Sequence, residues 1–198
     1  MKIKYLGSIK GSRLEMEPLN NYISDSITNS TPLYFTLVDG TVFNTKFTAF
    51  LLKDDAYLKD RADAQTYRQE AGVLLRILEK FNASTAQYIK TVHHENTKKI
   101  TEWGIPIRLG KSGGKVLLSR QIKDVEMVSI AILFKHTLDG TNSILNNFDM
   151  PTMQTTLDAF ILARANYKDS QNGWRSASIS RREDMEQLRK MQHLIASE

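Results

Sequence analysis

Between residues 67 and 92 the apolar positions recur with the spacing of a packed helix. Tyr67, Ala71, Leu74, Leu78, Phe81, Thr85, Tyr88 and Val92 step alternately by four and three, with Leu75 and Ile89 widening the stripe. That pattern predicts a long helix over about 60–94. Gly72 lies inside it, at a cost of roughly 1 kcal/mol against alanine, which makes close approach of a neighbour the expected reason for its presence. A short helical piece follows at 96–103, and Gly104 is placed where a left-handed residue closes a helix.

The helical period breaks after Gly104. Ile105-Pro-Ile-Arg-Leu109, a turn Gly110-Lys-Ser-Gly-Gly114 and Lys115-Val-Leu-Leu118 read as a hairpin over 105–118. From Ile122 to His136 apolar residues occupy nearly every side of a helix, so a central, fully packed element is expected there. Pro151 suits a first helical turn, and Met153, Leu157, Phe160, Ile161 and Tyr167 share a face behind it. Ser170-Gln-Asn-Gly-Trp174 weakens that pattern. Ser180 and Glu183 then form a capping box before Met185, Leu188, Met191 and Ile195. The last third is therefore one helix with a weak middle, or two helices.

The first 45 residues have no such period. Leu33 to Phe43 reads as a hairpin turned at Asp39-Gly40, because a type I′ turn needs two residues that tolerate positive φ. Phe43, Phe47, Phe50 and Leu51 also recur at helical intervals, so the second arm has a helical alternative. The expected fold is mainly α: a single domain over 1–198, built as a bundle of four to six helices with one or two small β-hairpins. Its parts are an irregular arm over 1–45, a helical core over 46–169 carrying the 105–118 insertion, and a C-terminal helix over 170–198. An α+β arrangement, with the hairpins joining a real sheet, is the alternative.

Composition adds few constraints. The 198 residues, 41% hydrophobic and 25% charged, are those of an ordinary folded chain. Zero cysteines remove disulfides, thiolate metal sites and cysteine nucleophiles, and fit a reducing compartment. With no secretory apolar segment and no run of about 18 apolar residues, a cytoplasmic location, or one inside an intracellularly assembled particle, is expected and no membrane partner.

Charge is more informative because it is concentrated. Residues 90–123 hold eight Lys or Arg against two Glu, a local excess of +6 in a chain whose total is +5. Lys98, Lys99, Arg108, Lys111, Lys115, Arg120 and Lys123 are the candidate contacts for an anion or nucleic acid. Trp103 and Trp174 are the candidate stacking or interface aromatics. Lysines that guard a strand edge are the competing account of the same charges.

The other motifs carry less chemistry. Gly110-Lys-Ser lacks the glycine five residues upstream that a phosphate-binding P-loop requires, since Ile105 stands there. Adjacent His93 and His94 point about 100° apart on a helix and chelate one ion poorly. Asp54, Asp55, Asp60 and Asp63 are interleaved with lysine and arginine and lack the pattern of a calcium loop. His136 and His193 have no catalytic spacing to a nucleophile. No catalytic residue, metal ligand, cofactor or small-molecule substrate is indicated. The expectation is a non-enzymatic structural or interaction protein, assembling with itself or a protein partner through helix faces and hairpins, a virion subunit being one such case. A nucleic-acid-binding or nucleic-acid-coating protein using 90–123 is the alternative.

Overall fold

The computed structural model describes residues 39–94, 96–110, 113–116 and 118–197, with Pro18, Asn21 and Asp25 before them. It is mainly α. Helix α1 runs Gly40–Val92, α2 Thr97–Thr101, α3 Ile122–Asp139 and α4 Met150–Ser197. Two short strands, β1 Ile107–Gly110 and β2 Gly113–Val116, pair antiparallel with Ile107 opposite Val116. A single 3-10 turn, Gly140–Asn142, leaves α3.

The chain divides into two compact units, a first comprising, among the described residues, 39–62 and 170–197, and a second comprising 63–169. In the first unit, Phe43, Phe47 and Phe50 pack on Leu188 with Leu51, Met185 and Met191 around them. That core overturns the hairpin expected at 33–43 in its second arm, because Gly40 to Phe43 are helical. The first arm, 33–38, lies outside the described residues. Asp39 caps the helix instead of turning a hairpin: its carboxylate accepts from the amides of Thr41 at 2.7 Å and Val42 at 3.4 Å. Aspartate suits both roles, and burial of three phenylalanines on one face decides for the helix.

α4 is unbroken through 170–174. Gly173 there meets α1 closely, since a Cβ on it would lie 2.6 Å from an Asp60 carboxylate oxygen. Tyr57 sits edge-on to Trp174 at 6.3 Å, Lys53 pairs with Asp184 at 2.6 Å, and Arg181 pairs with the fully buried Asp54. These contacts hold the weak middle of the helix within this unit.

The second unit holds the larger core, including Leu78, Ile89, Trp103, Ile105, Ile132, Leu145, Met153 and Phe160. The seam of α1 faces it as its spacing predicts, with Leu78 and Thr85 fully buried. Gly72 does not mark a close approach: a Cβ there would meet nothing within 4 Å. α1 ends with His94 in the left-handed region at φ 47°. Asn96 then caps α2 by accepting from the Lys99 amide at 3.2 Å. Gly104, at φ 71°, turns the chain so tightly that a Cβ would lie 2.2 Å from the Ala131 Cβ of α3.

A buried polar clasp joins α1 to α3. The Asn82 amide donates to the Val125 carbonyl at 3.0 Å, and the Ser129 hydroxyl is within 3.1 Å of the Asn82 carbonyl oxygen. Both side chains are out of solvent, so each polar atom finds its partner in the other or in the backbone. At the start of α4, Asp149 accepts from the Thr152 amide at 3.1 Å and its hydroxyl at 2.6 Å. Those two bonds hold the Asp149 carboxyl below its ordinary pKa, as expected of a cap that prefers charge.

Candidate functional site

α3 is the element on which the candidate surfaces meet. One side is buried through Val125, Val128, Ser129, Ile132 and Leu133. The other departs from the expectation of a helix packed all round. Met127, Ile130, Phe134 and Leu138 step by three, four and four and are 62%, 47%, 68% and 69% exposed. An apolar stripe thus runs along the outer face, opposite the core face.

At the N-terminal end of α3 lies a cleft of about 500 Å³, walled by α1 and by the segment leading into α3. Arg76 and Lys80 come from α1, one turn apart, and Arg120 from the residue before Gln121, the α3 N-cap. Its apolar lining comes from Leu118, Val125 and Val128, and Asn82 of the clasp contributes a fixed amide. All three cations are exposed at the rim, and Glu79 is the acidic group beside them. Among the described residues no carboxylate pairs with Arg76, Lys80 or Arg120. By contrast, Arg164 pairs with Glu126, Lys135 with Asp139, Lys53 with Asp184 and Arg181 with Asp54.

Among the described side chains, the cations singled out from sequence do not all line this cleft. Arg120 lines the cleft, while Lys98 and Lys99 are exposed on α2 and Lys123 is exposed in the first turn of α3. Arg108 and Lys115 are register partners on the hairpin, and Lys111 lies outside the described residues. Arg76 and Lys80 were not legible as site residues, because two cations on a long helix read as a solvated face. The signal was their spacing: like charges at i and i+4 repel and invite a reason for both.

The aromatics divide similarly. Trp103 is 2% exposed, with the Lys135 ammonium 5.4 Å from its ring, so its ring belongs to the core and offers no platform to a base. Trp174 is half-buried against Tyr57. Of the histidines, His136 is held by the Ser143 hydroxyl at 2.7 Å. The same hydroxyl accepts from the Leu145 amide, which makes it part of the turn after α3. Burial, followed by the field of Lys99, lowers the His93 pKa from its ordinary value. No three acidic or histidine side chains among the described residues converge to hold a metal ion, and no helix there is long and apolar enough to cross a membrane.

No known family model, curated protein or solved structure matches the chain.

Proposed function

We propose that the protein is a non-enzymatic assembly subunit that associates with a second copy of itself through the outer face of α3. The observation that carries the reading is the stripe Met127, Ile130, Phe134 and Leu138, apolar and exposed along one side of a helix whose other side is fully packed. Contiguous exposed apolar surface of this kind is uncommon on a lone chain and typical of an interface.

Charge favours a second copy as the occupant. Packed antiparallel about a point between Ile130 and Ala131, the stripe sets Met127 against the partner's Phe134. Asp124 and Lys135 lie on the same flank of the stripe at its opposite ends, so in this arrangement each Asp124 approaches the partner's Lys135, whose charge it would share with that chain's own Asp139. A parallel arrangement would bring no such pair together. Burying the exposed part of Phe134 contributes about 1–2 kcal/mol per copy.

The test is molar mass by light scattering across a concentration series, for the unmodified chain and for Phe134→Glu with Leu138→Gln. Dimer formation by the former and a monomer of unchanged helicity for the latter are expected. A chain that stays monomeric at the highest soluble concentration, or a variant that dimerises equally well, refutes the reading.

A further inference from the structure

The rim of the cleft has a charge arrangement that stability alone disfavours. Arg76 and Lys80 repel across one turn of α1, and Arg120 adds a third positive charge to the same cleft. The Lys or Arg of each ion pair named above is matched to a carboxylate, whereas these three share one rim with Glu79 and are paired with no carboxylate among the described residues. A dianion seated between them would remove the repulsion. Two of the three are guanidinium groups, whose fork matches two oxygens of a phosphate.

The size and lining of the cleft say more than the charge does. About 500 Å³ is more than an inorganic phosphate fills and lies within the range of small-molecule sites. Leu118, Val125 and Val128 give it an apolar wall, and the Asn82 amide is pinned to the Val125 carbonyl, so its orientation is set before any ligand arrives. The N-cap of α3, Gln121, makes no side-chain cap, and Asp124 in the first turn is the acidic group at that end of the helix.

We propose that this cleft binds a small organic phosphate, with the phosphate held by Arg76, Lys80 and Arg120 and the organic part lying against Leu118, Val125 and Val128. The site is independent of the dimer reading, since none of these residues belongs to the α3 stripe. It also differs from the basic segment as read from sequence, because two of its three cations come from α1.

Calorimetric titration of the full chain with phenyl phosphate, inorganic phosphate and phenol tests the proposal. Phenyl phosphate is expected to bind about tenfold or more tightly than inorganic phosphate, through its ring on the apolar wall, and phenol not detectably. Arg76→Gln with Arg120→Gln should weaken phenyl phosphate binding by roughly 30-fold or more, at unchanged helicity. Lys98→Gln with Lys99→Gln should leave it unaltered. Failure of phenyl phosphate to bind overturns the site, as does binding that survives the double arginine variant. Single-stranded RNA whose binding is lost in the double arginine variant, while phenyl phosphate neither binds nor displaces it, would assign the charge to nucleic acid and equally overturn the site.

Discussion

Gly104→Ala probes the closest approach in the larger core. The residue sits at φ 71°, and the added methyl would lie 2.2 Å from the Ala131 Cβ and 3.7 Å from its Cα. Two costs follow. Holding a non-glycine residue in the left-handed region costs roughly 1–2 kcal/mol, and forcing a methyl into an occupied position typically costs a further 1–3 kcal/mol. The expected destabilisation is therefore about 2–5 kcal/mol. The two can be separated, because Ala131→Gly removes the obstructing methyl at a cost of about 1 kcal/mol for glycine inside α3. The double variant should thus be about 1–3 kcal/mol more stable than the sum of the single effects. Urea unfolding followed by Trp103 fluorescence, in a Trp174→Phe background, reports on this unit because Trp103 adjoins Gly104 and is buried in the same core. A Gly104→Ala effect under about 0.5 kcal/mol, or strict additivity with Ala131→Gly, would falsify the close-approach argument.

Gly72→Ala should stabilise by about 0.5–1 kcal/mol, since a methyl at Gly72 meets nothing within 4 Å in the middle of α1; a loss of stability on urea unfolding would mean that the site is occupied. Because the His93 pKa is lowered in the fold, the unfolded chain binds more protons as the pH drops past the ordinary value of 6.5. Stability associated with neutral His93 is then present above pH 6.5 and lost as pH falls through the folded pKa. His93→Gln should flatten this part of the stability profile, and superimposable profiles for the two proteins would refute it.

Periodicity told most where one face of a helix meets one core. The seam from Tyr67 to Val92 placed Leu78 and Thr85 correctly because every fourth and third residue answers to the same neighbour. It told less where a short signal serves two structures. Asp39-Gly40 suits a hairpin turn and a helix start, and the choice was made by Phe43, Phe47 and Phe50 finding Leu188, a contact some 140 residues away in sequence. For α3 the pattern predicts burial on all sides, and the outer stripe is exposed instead because the sequence does not say how many neighbours a helix has. The cleft was the least legible feature. Arg76 and Lys80 are separated from Arg120 by two helical segments and a hairpin, and it is the core shared by α1 and α3, with the Asn82 clasp inside it, that brings their backbones together.

The two proposed surfaces lie at different places on one helix, and that separation makes the proposals distinguishable. Phe134 is twelve residues beyond Ile122, the first residue of α3, about 18 Å along the axis at the rise of an α-helix, and Arg120 lies before that helix begins. Groups that far apart, sharing no partner, should affect stability and binding independently. Phe134→Glu with Leu138→Gln is thus expected to abolish association and leave phenyl phosphate affinity unchanged. Arg76→Gln with Arg120→Gln should do the reverse. Cross-effects in both directions would require α3 itself to have two arrangements, because a rigid helix pinned by Asn82 at one end and by Val128, Ile132 and Leu133 along its length cannot transmit either event. Phosphate-dependent dimerisation would therefore locate a movable element in α3, and the Asn82 clasp, as its attachment to α1, is the contact whose rearrangement would have to accompany it.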